Sequence, residues 1–392
     1  MSTVLRDNDR QAAPGTAAVQ REPLSFDLLL VSSVGAVILL GLVMVASSSI
    51  TIAAEHGHPL KLFWRQFAYA ACATAMMLLV ACTPISVWRL LGPWLLLLGT
   101  GLLTLVLIPG IGREVNGSMR WLALGPVNLQ PSELVKIFGV LYLAGYLVRR
   151  NDHVRTRSSG FFKPIALMSL IALLLLAEPD YGATVVLFAT TLTMLFLGGV
   201  PFVSFSIWIL AIVSVFGLML IAAPYRVDRL LAFVNPWDDP FGSGFQLTQA
   251  LIAIGRGEWF GVGLGQSVQK LHYLPEAHTD FLFAVLSEEL GLLGAGVTIA
   301  LFSFITWRAF QIGLRALRAG QPYAGYLAYG IGLLVGMQAY VNIGVNLGLL
   351  PTKGLTLPLM SYGGSSLVAN AIGIGLLLRV AAEIPITMRG AS

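Results

Sequence analysis

The sequence predicts an all-α polytopic membrane protein, with about ten transmembrane helices and a large extracytoplasmic loop between helices 7 and 8. Three observations predict it. Of 392 residues, 56% are hydrophobic and only 11% are charged, against about 25% charged in soluble domains. The apolar residues gather in runs near the ~20 residues that a helix needs to cross a bilayer. Lys and Arg collect at alternate ends of those runs, which is the pattern that sets orientation.

The spans fall at about 26–48, 64–83, 90–108, 131–149, 161–177, 181–198, 201–223, 280–306, 325–348 and 364–384. Pro179, the pair Gly198-Gly199 and Pro201 divide the long apolar region between the fifth and seventh. Arg6, Arg10 and Arg21 share one set of loops with Arg149 to Lys163 and Arg308 to Arg318. That set is expected to be cytoplasmic, and an even span count puts both termini there. Residues 1–25 read as a disordered cytoplasmic tail, 26–385 as one ten-helix domain and 386–392 as a second tail. The other loops, including 109–130, 224–279 and 349–363, face outside.

This layout limits function. No cytoplasmic loop is large enough for a catalytic domain, so chemistry is expected on the outer face. ATP is absent there, and no GxxxxGK[ST] loop occurs to bind it. The net charge of +5 comes from helix ends, so membrane lipids and no nucleic acid are the expected partners. Cys72 and Cys82 sit in one apolar run and imply neither a disulfide nor a metal.

The outer loops carry the unusual residues. Asn116-Gly117-Ser118 reads as a turn. Asn235 to Gly244 is turn-forming, and Phe245 to Ile254 is amphipathic and suits the membrane interface. Gly261-Val-Gly263-Leu-Gly265 lacks the βαβ context of a dinucleotide site and reads as a tight turn. His278-Thr279-Asp280 stands where a polar loop becomes an apolar helix. An acid there is either functional or a helix cap. Glu133 and Lys136, three apart, are positioned to pair on a helix, as structure or as a cavity lining. Gln338, Asn342 and Asn346 form one polar stripe, for helix packing or for substrate. Lys353 and the segment Ser361, Gly363, Gly364 and Ser365 either offer a cation and backbone N–H groups to an anion or form a re-entrant turn whose small residues allow close packing. With Arg113, Arg120, Arg226 and Arg229 they suggest an outer site for a phosphorylated substrate, and Trp121 reads either as a platform for sugar or lipid or as an interfacial anchor. The five histidines show no metal-binding spacing.

Five long stretches then carry a resemblance: NGSMRWLALGPVNLQPSELVK (116–136), EPDYGAT (178–184), the run 235–265, LPEAHTDFLFAVLSEELGLLG (274–294) and LLPTKGLTLPLMSYGGSS (349–366). The chain resembles the SEDS family (shape, elongation, division and sporulation) from about Phe26 to Arg379. Pro351 to Thr356, the Arg256-Gly-Glu258 loop and the N-terminal tail are similar to its division branch. The resemblance implies a peptidoglycan glycosyltransferase of the bacterial inner membrane, working at the septum. Its substrate would be lipid II, a polyprenyl-pyrophosphate disaccharide-pentapeptide, polymerised into β-1,4 glycan on the outer leaflet with inversion. Asp280 aligns with the family's essential acid. Glu133 and Lys136 fall in its central cavity, and Arg120 and Trp121 match a motif near the site. Implied partners are a class B penicillin-binding transpeptidase, expected to be FtsI, with FtsQ, FtsL and FtsB. No cofactor is certain, although a divalent cation, Mg or Mn, would suit the pyrophosphate. Two further roles stay open: a lipid II flippase, which a buried charged pair would suit, and a non-catalytic divisome scaffold.

Overall fold

The structure, a computed structural model, describes residues 26–384 apart from 56–57, 59, 116–117, 126, 157, 204, 208, 211–213, 215–216, 218–232, 243, 272 and 352–353. Both expected tails, most of the seventh expected span, and Arg226, Arg229 and Lys353 lie outside the described residues.

Among the described residues eight helices, not ten, are long and apolar enough to cross a membrane. They are α1 (Leu28–Glu55), α2 (Lys61–Cys82), α3 (Ile85–Val106), α4 (Pro131–Arg149), α6 (Ser158–Ala177), α9 (Leu282–Arg318), α10 (Pro322–Asn346) and α11 (Gly364–Glu383). Between them lie the short α5 (Asn151–Thr156), then α7 (Tyr181–Leu197) and α8 (Phe245–Gly257). The helix α7 is apolar but has only 17 residues, about 26 Å at 1.5 Å per residue. Its ends are fixed. Asp180 caps it by accepting from the Ala183 amide at 3.1 Å, and Gly199, at φ 92°, turns the chain away.

Burial sorts the helices. Nearly every residue of α4 and α10 is enclosed. By contrast α2 and α3 expose Trp64, Leu79, Leu90 and Trp94, the surface that hydrocarbon would cover. The central helices therefore direct their polar side chains at one another rather than at lipid, as burial of ionisable groups at membrane depth requires.

The membrane-spanning part is all-α, as expected, and one outer segment departs from helix. The outer segment after α3 forms a small antiparallel sheet: β1 (Gly112–Val115), β2 (Ser118–Leu124) and β3 (Val127–Leu129), in that order. Arg113 pairs with Trp121 across β1 and β2, and the register shifts between Arg113 and Glu114. Such a sheet needs support from the bundle. The Ser365 hydroxyl supplies it, accepting from the Gln130 amide and donating to the Asn128 carbonyl, both at 3.0 Å.

At 37 residues, α9 would run about 55 Å, well beyond a hydrocarbon core of about 30 Å. It is broken at Gly291, with φ 66° and ψ −164°, a conformation open to glycine. The loop after α8 fills the break. Val262 and Gly263 donate to the carbonyls of Glu288 and Glu289 at 3.0 and 3.1 Å, and Leu292 and Leu293 donate to those of Glu258 and Trp259 at 2.9 and 3.2 Å. These four bonds take up backbone groups that the break frees from the helix. Gly261, Gly263 and Gly265 all have positive φ, which bears out the tight turn.

Charge holds the same loop. Glu288 and Glu289 are fully buried. Arg256 pairs with Glu288 and Lys270 with Glu289, each at 3.0 Å. Ser267 donates to Glu288, and Ser47 of α1 donates to Glu289 at 2.7 Å. Buried acids so fully paired fix the position of the segment that leads to Asp280.

Candidate active site

Asp280 lies one residue before the N-cap Phe281 of α9, and no side chain of Asp280 or Phe281 caps that helix. The cap comes from α10. The Asn346 amide oxygen accepts from the Ala284 N–H at 3.1 Å. The Asp280 carbonyl accepts from Asn342 Nδ2 at 2.8 Å and from Asn346 Nδ2 at 3.1 Å. Two amides of the polar stripe thus hold the Asp280 backbone, and its carboxylate is left for other work.

That carboxylate faces Arg120 of β2 across Gly354. A methyl group at Gly354 would lie 3.3 Å from Asp280 Oδ2 and 3.7 Å from Arg120 Nη1. Arg120 itself is fixed: Nε donates to the Glu178 carbonyl at 3.1 Å and Nη2 to the Pro179 carbonyl at 2.6 Å. Burial pushes the Asp280 carboxyl up to about 7, helped by Glu276 and Asp180 and opposed by Arg120. A carboxylate near neutrality is well matched to general-base work.

Two further acids sit between α6 and α7. Glu178 is fully buried, and among the described residues neither of its carboxyl oxygens has a partner. Burial pushes it up to about 8, with Asp180 adding to the rise and Arg120 opposing it, so it holds a proton at neutral pH. Asp180 accepts from Ser132 at 2.9 Å and Gln130 at 3.3 Å while capping α7. Both acids stand in the EPDYGAT stretch, but nothing local marks them as neighbours of Arg120.

Glu133 and Lys136 pair as expected, at 3.0 Å. The Lys136 ammonium also donates to Gln338 Oε1 at 2.7 Å, and Gln338 Nε2 donates to the Thr356 carbonyl at 3.1 Å. Asn342 reaches the Leu355 carbonyl. The stripe therefore binds both the Asp280 turn and the 354–356 strap, and Lys136 is the charge at its foot.

The remaining residues divide into two groups. His278 packs against Tyr362, with ring centroids 5.4 Å apart, and its carbonyl accepts from the Tyr362 amide at 3.0 Å. Burial pulls the imidazole below its ordinary value, and its Nδ1 has no partner among the described residues. Thr279 is turned to Glu276, donating to its carboxylate at 2.6 Å. Trp121 is half-buried in the sheet, and Arg113 is exposed opposite it. The glycine-rich segment is tied into the scaffold at several points. Ser361 Oγ accepts from the Leu357 amide at 2.9 Å, the Gly363 amide donates to Gln66 at 3.4 Å, Gly364 packs on the Tyr69 ring, and Ser365 holds the sheet. Among the described residues no three His, Cys, Asp or Glu side chains come together to hold a metal ion.

The family model described as "Cell cycle protein", for FtsW, RodA and SpoVE, matches residues 27–385. The protein named "Probable peptidoglycan glycosyltransferase FtsW" in Alkalilimnicola ehrlichii is 55% identical over 344 residues, covering 87% of this chain and 85% of its own. The one so named in Nitrosococcus halophilus is 54% identical over 363 residues, 91% of this chain and 92% of its own. A chain solved under the description "Structural coordination of polymerization and crosslinking by a peptidoglycan synthase complex" superposes with a TM-score of 0.77 at 29% identity, over 92% of this chain and 99% of that one. The rod shape determining protein RodA of Thermus thermophilus gives 0.67 at 28% identity, over 92% and 98%.

Proposed function

The chain belongs to the cell cycle protein family of FtsW, RodA and SpoVE, and from that premise we propose that it is a septal peptidoglycan glycosyltransferase polymerising lipid II. The observation that carries the proposal is the Asp280 carboxylate. It is held by its backbone, released from capping and set opposite Arg120. The relatives named as peptidoglycan glycosyltransferases support the substrate class.

In this mechanism Asp280 takes the proton from the 4-hydroxyl of a GlcNAc unit. The hydroxyl oxygen attacks the anomeric carbon of the second molecule from the face opposite its pyrophosphate. The carbon–oxygen bond to the pyrophosphate breaks, and the α linkage becomes a β-1,4 bond. One base and one displacement suffice for a single inversion. Arg120 is the described cation next to the base, and it would stabilise charge developing at the leaving group. Arg113, Arg226, Arg229 and Lys353 are further candidates for that role. Glu178 would remain protonated behind Arg120, so the guanidinium is not neutralised from that side. Open flanks between helices would leave the polyprenyl tail in lipid.

The Arg-rich helix ends would face the cytoplasm, with both termini, and the sheet and Asp280 would face the periplasm. The solved synthase complex supports a transpeptidase partner. We assign that partner as the class B protein FtsI, with FtsQ, FtsL and FtsB beside it at the septum. The test is glycan-chain formation from lipid II by the purified protein with that partner. Polymer made by wild type and lost in Asp280→Asn supports the proposal. Wild type that moves lipid II across liposomes without polymerising it replaces the proposal with the flippase reading, which the buried Glu133–Lys136 pair would suit.

A further inference from the structure

Far from Asp280, at the other end of α9, the first turn of α1 and the last turns of α9 and α11 enclose a cavity of about 290 Å³. Asp27, Leu29, Arg308, Ile312, Arg315 and Ala381 are among its walls. The charges there do not cancel. Asp27 uses both oxygens, accepting from Arg308 Nε at 2.8 Å and from the Leu30 amide at 3.1 Å. Arg308 is occupied by Asp27 and by Gln311, to which it donates at 2.6 Å. Arg315 lines the same cavity, and among the described residues it has no acidic partner. Among the described residues one positive charge is thus left over, in a cleft whose inner wall, Ile312, is apolar and buried.

The position of the cleft limits what could neutralise that charge. Leu28 opens the first membrane span and is 79% exposed; Leu29 beside it is 57% exposed. The cleft thus opens where hydrocarbon meets water. A small soluble anion would find one cation there and gain nothing from the apolar wall. An anion that carries hydrocarbon chains would satisfy both, with its phosphate at Arg315 and its chains over Leu28 and Leu29. We propose that this cavity binds the headgroup of an anionic phospholipid from the leaflet opposite the active site. The proposal does not depend on the catalytic assignment, because its measurement is lipid retention and not polymerase activity.

The experiment uses the full chain, extracted from vesicles holding equal amounts of phosphatidylglycerol and phosphatidylcholine, with the co-purifying lipids quantified by mass spectrometry. Wild type should be enriched in phosphatidylglycerol. Arg315→Gln should lower the enrichment roughly fivefold, which is what one arginine contributes near an anionic surface. Ala381→Glu, which adds a like charge at the rim, should lower it without touching Arg315. Melting in phosphatidylcholine alone should be unchanged for both variants, and if Arg315→Gln fails that control the second variant carries the test. Unchanged phosphatidylglycerol enrichment in a folded variant overturns the proposal. So does millimolar inorganic phosphate that displaces the lipid, since the site would then be one for free anions.

Discussion

Asn346 holds Asp280 from behind: its amide nitrogen donates to the Asp280 carbonyl at 3.1 Å, while its amide oxygen caps the helix that follows through Ala284. The two residues are 66 positions apart, and neither duty involves the Asp280 carboxylate. The substitutions should therefore separate. Asn346→Ala removes a cap, worth about 1 kcal/mol, while the Asp280 carbonyl keeps Asn342 and the Ala284 amide keeps the Phe281 carbonyl. It should lower the melting temperature and activity together. Asp280→Asn should melt like wild type while glycan formation falls by about 10²–10⁴-fold, the usual loss for a general base. A melting shift in Asp280→Asn as large as that in Asn346→Ala would mean that the carboxylate is structural.

The acid limb of the rate should report Asp280. A base works deprotonated, so the rate should rise with pH and bend near the value of about 7 to which burial and Glu276 push this carboxyl. Glu276→Gln removes one negative neighbour, which lowers the Asp280 value and moves the bend to lower pH. The stability sign is opposite. Between the ordinary carboxylate value of 3.8 and about 7, the unfolded chain releases a proton that the folded chain keeps. Folding therefore weakens as pH rises through that window. Profiles of kcat/KM for wild type and Glu276→Gln, measured with lipid II well below saturation so that they report the free enzyme, would test this, and a bend that stays in place would remove Glu276 from the account.

Gly354 should be intolerant of even a methyl group, although the chain there needs no positive φ. The added carbon would sit 3.3 Å from Asp280 Oδ2, close enough to press the carboxylate back by a few tenths of an ångström. Misplacement by about 1 Å can cost on the order of 10²-fold, so Gly354→Ala should lose up to roughly tenfold in polymerase rate. Its melting temperature should barely move. Wild-type rates in Gly354→Ala would place the reacting groups elsewhere.

Much of this arrangement was legible in the sequence, and the exceptions have physical reasons. The span 131–149 coincides with α4 because Pro131 starts it and Arg149 ends it. Asp280 stood out as an acid at the mouth of an apolar run, and Glu133 and Lys136 met at their helical spacing. The sheet was missed because its strands have only 4, 7 and 3 residues and depend on Ser365, over 200 positions away. The break in α9 was missed because a lone glycine in an apolar run is compatible with a continuous helix. Its backbone partners come from the separate loop at Glu258 to Gly263. Glu178 and Asp180 were visible as residues, but their place behind Arg120 is set by tertiary packing alone.

The last prediction concerns Lys136, which is buried and meets Glu133 at 3.0 Å and Gln338 at 2.7 Å. Breaking a buried ion pair by removing one partner costs about 3–5 kcal/mol, because the other charge is left uncompensated, whereas replacing both is often close to neutral. Lys136→Met and Glu133→Gln should each lower the melting temperature strongly. The double variant should recover much of the loss, a coupling that a thermodynamic cycle reads directly. Activity should recover less. Without the ammonium, Gln338 loses the partner that orients it toward the Thr356 carbonyl, and the strap carrying Gly354 loosens beside Asp280. Additive losses in the cycle would show that the pair is uncoupled. Recovery of both stability and full polymerase rate would show that Lys136 has no part in holding the site.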